Sequence, residues 1–272
     1  MLRCFLNCHL REASRRPERF DRHLADTVPP ELGLDPIFLD ATTPDIHTAI
    51  NARLAQASLA RSVHLPFFDL QPGSADRRIR QASIDRLKDG FATAKIYAPH
   101  HLIGHGAYNR FLYQSFDAWA DRAADAWIDV MASWPDHAPL FLENTHETDP
   151  STVAGLVAAI RKRLPPDQSH RVGVCFDIGH WFSFAGGAAA HNLDAWIDTL
   201  APALAHLHLH DNTGAFDEHL APGQGAIPFD RLFALLARYD LNPSVTFEPH
   251  GDAAYAQTLA YVAASGGMLG WA

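Results

Sequence analysis

One pattern governs what this chain can fold into: a short strand-like apolar run followed by a helix-like stretch, recurring along its whole length. The strand-like runs are Arg3–Asn7, Pro36–Leu39, Ser62–Leu65, Lys95–Ala98, Pro139–Glu143, Val172–Asp177, Leu204–Leu209 and Ser244–Glu248. Between them, Arg16–Val28, Asp45–Ser58, Asp76–Thr93, Tyr108–Trp134, Pro150–Leu164, Ala188–Leu200, Pro228–Tyr239 and Asp252–Ala264 read as helices. Asp76–Thr93 shows why, since Ile79, Ile84, Leu87 and Phe91 fall near the spacing of one helical face. Strands alternating with helices imply parallel βαβ units. Eight such units in 272 residues match the size of a closed α/β barrel of the (β/α)8 type. A doubly wound sheet competes with it, but no Gly-x-Gly-x-x-Gly follows the first strand. No low-complexity tract or Ser/Gly linker divides the chain, so residues 1–272 read as a single domain.

Composition narrows the function classes. The chain carries 22 Lys and Arg against 31 Asp and Glu, a net charge of −9. Only Lys88, Lys95 and Lys162 are lysines, whereas 17 residues are histidine. That balance argues against a general grip on nucleic acid, which needs a basic footprint. Arg77, Arg78, Arg80 and Arg110 read as a solvated face rather than a phosphate patch. No apolar run approaches the roughly 18 residues of a membrane helix. Cys4, Cys8 and Cys175 are odd in number and scattered, so no disulfide framework is implied and a reducing cytoplasm is expected. Cys4 and Cys8 read as small apolar filling on a buried first strand. Oligomeric state is not legible, although exposed helices of such barrels often pair.

In a barrel of this kind, chemistry sits where strands run out into the βα loops. The third strand ends Val63-His64-Leu65-Pro66, and the fourth runs into Pro99-His100-His101. The fifth ends Phe141-Leu142-Glu143-Asn144, and the sixth ends Phe176-Asp177-Ile178-Gly179-His180. The seventh holds His206, His208, His210 and Asp211, and the eighth ends Phe247-Glu248-Pro249-His250. Six consecutive strands thus bring imidazole or carboxylate to one rim. Converging there, such groups would repel or stay expensively desolvated unless a cation neutralised them. Imidazole with carboxylate is the ligand mixture of zinc, manganese or cobalt.

The segments Phe141–Thr145, Val172–His180, His206–Asn212, Asp217-Glu218-His219 with Pro222–Gly225, and Thr246–Glu248 resemble the xylose-isomerase-like TIM-barrel superfamily. That superfamily joins sugar isomerases and epimerases to endonuclease IV-type AP endonucleases. The resemblance covers nearly the whole chain and implies a metal set of Glu143, Asp177, His208 and Glu248. It implies that His180 binds substrate, as in the epimerases, or a second metal, as in the nucleases. Asp217 and His219 match the additional metal pair of the endonuclease branch. His64, with either His100 or His101, falls near that branch's two further histidines. The arginine that epimerases often carry six residues past the metal histidine is replaced by Gly214.

Three functions are therefore weighed. The favoured one is a divalent-metal-dependent isomerase or epimerase of a small sugar-like hydroxy-carbonyl compound. One ion held by Glu143, Asp177, His208 and Glu248 would stabilise an enediolate. Glu143 and Glu248 would exchange the proton, His180 would orient substrate, and His64, Trp181 and His210 would line the sugar. The second is phosphodiester hydrolysis at abasic sites by two or three zinc ions, with His64, His100, His180, Asp217 and His219 added to the ligands. The third is a barrel that holds metal and ligand without turnover.

Overall fold

The helices begin where short polar side chains occupy the first orphan N–H groups. Asp35 accepts from the amides of Ile37 and Phe38, Asp76 from Arg78 and Ile79, Ser115 from Ala118, and Asp149 from Ser151. A computed structural model describes residues 1–272. In chain order the elements are β1 Leu2–His9, α1 Leu10–Arg15, α2 Pro17–Ala25, β2 Pro30–Gly33, α3 Pro36–Ala41 and α4 Pro44–Gln56. They continue with β3 Ser62–His64, α5 Arg77–Tyr97, β4 Leu102–His105, α6 Phe116–Ala132, β5 Leu140–Glu143 and α7 Pro150–Arg161. Then come β6 Val172–Asp177, α8 Ile178–Ser183, α9 Gly187–Ala190, α10 Leu193–Leu200 and β7 Leu204–Leu209. The chain closes with α11 Phe229–Arg238, β8 Ser244–Phe247, α12 Asp252–Ala264 and β9 Leu269–Trp271.

All strand pairings are parallel, in the order β2-β3-β4-β5-β6-β7-β8-β1, and β1 pairs back to β2 to close the barrel. β9 adds a short ninth strand beside the first residues of β1. Side chains alternate between lumen and helix layer. Leu142, Val174, Phe176, Leu207, Val245 and Phe247 face the helices, where they join a continuous apolar core with Trp119, Trp127 and Trp196. No helix is long and apolar enough to cross a membrane.

Two expected strands lie elsewhere. Pro36–Leu39 is helical, because Asp35 caps it and Pro36 takes the first helical position. The second strand is instead Pro30–Gly33, which carries Glu31 into the lumen. Lys95–Ala98 is the end of α5, and the fourth strand is Leu102–His105. Helix α6 starts at Phe116 rather than Tyr108, and Ala188–Leu200 divides into α9 and α10 around His191 at φ 49°.

Candidate metal centre

Sheet register carries the rim residues to one level. His105 pairs with Glu143, Asp177 with His208, and His64 with Ile103. Asp177 ends β6 and also caps α8, its Oδ1 accepting from the amide of His180 at 2.7 Å. Past β7 the chain folds back as an antiparallel bridge between Asp211 and Leu220. Buried Asp211 accepts from the amides of Gly223, Gly225 and Ile227, which pins the Pro222–Gly225 turn and returns Asp217 and His219 to the mouth. Gly179 has to lack a side chain, because a Cβ there would sit 1.9 Å from Cε1 of His210.

The donor atoms converge in three groups. Glu143 Oε2 lies 3.1 Å from His64 Nε2 and 2.9 Å from His105 Nε2, and those two nitrogens are 3.2 Å apart. Its Oε1 lies 3.2 Å from His180 Nδ1 and 3.4 Å from His208 Nδ1. His208 Nδ1 also faces Glu248 Oε1 at 3.5 Å and Asp177 Oδ2 at 3.9 Å. In the third group, Asp217 Oδ2 lies 3.0 Å from His219 Nε2 and 3.5 Å from His180 Nε2. Its Oδ1 lies 3.5 Å from His210 Nε2, which also sits 3.2 Å from Asp177 Oδ1. Glu143 belongs to the first two groups at once.

In neutral rings, several of these contacts set a lone pair against a carboxylate oxygen rather than a donor against an acceptor. His64 Nδ1 donates to the carbonyl of Leu65 at 3.0 Å, His180 Nδ1 to Asn144 at 2.9 Å, and His219 Nδ1 to Glu248 at 2.7 Å. A carbonyl only accepts, so each Nδ1 carries the proton and each Nε2 of a neutral ring presents a lone pair. Those lone pairs face carboxylate oxygens, which repels unless a cation lies between. Asp177 Oδ2, both ring nitrogens of His208 and of His210, and Asp217 Oδ1 are buried without any hydrogen-bond partner. Two donors about 2.1 Å from a tetrahedral ion lie about 3.4 Å apart, which is the spacing found here. The donor set therefore fits divalent ions.

Without an ion, protons take the cationic role. Burial opposes charge on His180 and His208, yet the surrounding carboxylates hold both well above the usual imidazole range. Burial likewise opposes charge on His219, but Asp217 and Glu248 lift it to about 8. Burial works against ionised Glu143 too, and His208 and His105 outweigh it, holding its carboxyl well below the ordinary range.

The structure brings together Glu143, Asp177, His180, His208, Asp217, His219, Glu248 and His64. It does not bring His100 to them. His100 lies at the opposite end of the barrel, 3.3 Å from Arg3, because β4 starts after it. His101 points into the lower lumen, 3.7 Å from Glu31. The missing partner is His105, which ends β4 as Glu143 ends β5. Trp181 is 1% exposed, with its indole N–H donating to Asn192, so it packs below α9 and lines no open site. His210, expected against substrate, is fully buried among the ion-facing groups. Sequence reasoning also missed Glu31, the lumen carboxylate beneath His208. A one-polar-end-per-strand search over Leu102–His105 would have found His105; nothing comparable marks Glu31. The buried thiols stay protonated, Cys8 being pushed up to about 12 by burial.

Beside the mouth, a cavity of about 500 Å³ runs between α1–α2 and α12. Asn7, His9, Glu12, Arg19, His250 and Tyr255 are among its walls. Arg19 pairs with Glu12 and Arg22 with Asp252, so its charges are balanced. The His250 ring stacks 3.9 Å from that of His219, joining the cavity to the ion-facing cluster.

Comparisons with known proteins agree with this fold. A family described as the xylose isomerase-like TIM barrel matches residues 27–265. The uncharacterized protein MJ1311 of Methanocaldococcus jannaschii is 25% identical over 68% of this chain, a match spanning 63% of that protein's length. The TTHB071 protein of Thermus thermophilus, solved after soaking in zinc chloride, is 26% identical with a TM-score of 0.70, covering 96% of this chain and 98% of that one. The same fold is seen in a D-tagatose 3-epimerase-like protein (TM-score 0.69, 20% identity, 86% of each chain). It recurs in endonuclease IV of Thermus thermophilus (TM-score 0.63, 17% identity, 95% of this chain and 97% of that one). A lumen closed by eight parallel strands and a family match across residues 27–265 make this chain a member of the xylose isomerase-like TIM-barrel family.

Proposed function

We propose that the chain is a three-ion hydrolase of phosphate esters. Its donor groups would be His64–His105–Glu143, Glu143–Asp177–His208–Glu248 and His180–His210–Asp217–His219. The observation that carries this reading is Glu143, whose Oε2 faces Nε2 of both His64 and His105 within 3.1 Å while its Oε1 faces Nδ1 of His208 at 3.4 Å. A carboxylate so engaged would serve two ions through its two oxygens, and neither would then be left to take a proton from carbon. That shifts the balance from the sugar isomerase, which needs Glu143 as a base, to hydrolysis. The zinc-soaked TTHB071 structure, at 26% identity, supports zinc as the ion.

Bound divalent ions would supply an acidified water near neutral pH and neutralise charge on phosphate oxygens. The chain's own groups do the rest. Asp177 and Glu248 hold His208 from two sides, and Asn144, Leu65 and Glu248 fix ring orientation through their carbonyls. Glu248 and Asp217, 12% and 17% exposed on their side chains, are the carboxylates of the set with an edge open to the mouth, where Glu248 would orient a water. Phe67 stacks 4.4 Å from His105 and Phe184 5.3 Å from His180, shielding both rings from bulk water. Outside the ions, the charge-balanced cavity at His9 and His250 suits a hydroxylated, sugar-like group. With a net charge of −9, a small molecule fits better than duplex DNA.

Zinc-loaded protein should cleave an activated phosphodiester such as bis(p-nitrophenyl) phosphate, and small nucleotidic diesters faster than an abasic duplex. Solvent-deuterium exchange into ketoses without any diester cleavage would overturn the hydrolase and restore the isomerase.

A further inference from the structure

We propose that Glu31, two residues below the rim on β2, is the positioning residue that aims His208 at the ions. This rests on the ion-binding reading above. Gly33 pairs with His64, so Glu31 lies one layer beneath the rim, and it is 1% exposed. Its Oε2 accepts from Ser62 Oγ at 3.1 Å and from Thr246 Oγ1 at 2.8 Å. Thr246 accepts in turn from His206 Nε2 at 2.9 Å, and Ser244 Oγ donates to His206 Nδ1 at 2.7 Å. Those hydroxyls satisfy His206 and fix Oε2. The other oxygen, Oε1, has no hydrogen-bond partner and faces His208 Nε2 at 3.2 Å.

A proton on His208 Nε2, held by Oε1, leaves Nδ1 as a lone pair directed at Glu143, Glu248 and Asp177. His64, His180 and His219 take backbone carbonyls for this purpose. His208 lies within β7, where neighbouring carbonyls serve the sheet ladder. Only a side chain is left to receive its second N–H, and a carboxylate makes the ring a stronger donor than a carbonyl does. Loss of such an acceptor costs about 10–100-fold in metal affinity.

The test is competitive zinc titration of the metal-stripped protein against a chromophoric chelator, comparing wild type, Glu31→Gln, His208→Asn and the double variant. Circular dichroism of the metal-free forms checks folding. Glu31→Gln should weaken one ion about 10–100-fold and leave the others unchanged. It should alter the visible absorption of the cobalt-loaded protein and add nothing in the His208→Asn background. Unchanged affinities in Glu31→Gln, or the same loss with and without His208, would overturn the proposal while leaving the ion site standing. A wild type that binds no zinc would overturn both. Should Glu31→Gln fail to fold, Thr246→Val replaces it; it frees Oε2 of one donor and predicts a loss at the lower end of that range, with full affinity counting against the proposal.

Discussion

His206 and His208 stand two residues apart on the same strand, both fully buried and both facing the lumen. Yet they differ in what surrounds them. His206 meets hydroxyls, Ser244 on one nitrogen and Thr246 on the other, and is neutral because burial drives its pKa well down. His208 meets carboxylates on both sides, has no aligned hydrogen bond, and is held well above the usual imidazole range despite its burial. Hydroxyls close a network on itself. Carboxylates facing lone pairs leave it open to a cation. The surroundings of His206 are thus a closed polar network and the rim is a site, although both are built from the same residue types.

The comparison breaks most easily at Glu143. Glu143→Gln removes the charge that two donor groups share, and hydrolysis should fall by about 10³-fold or more, read as initial rates on an activated diester. Survival of near wild-type rates would leave the three-ion account without its central ligand. Next comes His105 against His100. His105→Ala should lose one ion and about 10²-fold in rate, whereas His100→Ala, at the far end of the barrel, should match wild type in both. Equal effects would mean that β4 does not deliver His105 to the rim.

The pH dependence of the metal-free protein sharpens the contrast further. His219 rises to about 8 in the folded state from about 6.5 unfolded, so its contribution is fully present below about 6.5 and is lost as pH climbs through 8. Thermal melts of the stripped protein should therefore fall over that window, by roughly 2 kcal/mol in stability. With zinc the trend should reverse, since the ion replaces the proton and binds better as pH rises. Parallel melting curves would show that protons and ions do not share the site. The smallest effect on ion binding belongs to the lower lumen. His206→Gln should cost about 1–3 kcal/mol by leaving buried hydroxyls short of partners, with no change in ion content.

Much of this was legible in the chain, and the failures have physical causes. Val172–Asp177 is an apolar run ending in a carboxylate and Leu204–Leu209 alternates leucine with histidine, and they form β6 and β7 over the ranges read from the sequence. Pro30–Gly33 escaped because it opens on a proline and sets a glutamate and a glycine around a single leucine; tertiary pairing, not propensity, makes it a strand. Leu102–His105 escaped because Gly104 interrupts it, and the glycine is there to admit Trp127, whose ring would meet a Cβ at 2.6 Å. That slip moved the expected ligand from His105 to His100. Eight of the nine other rim donors were readable as ligands, because each lies near the end of a strand or in the segment that follows one, whereas His210 was read as lining substrate. Which nitrogen each ring offers was not readable, since for His180 and His219 that is set by carbonyls distant in sequence.

The count of ions is the most direct measure of the account. Metal-stripped protein loaded with zinc, freed of excess by gel filtration and analysed by inductively coupled plasma mass spectrometry, should retain three ions per chain. One ion per chain would contradict the three-group rim and return the chain to single-metal chemistry.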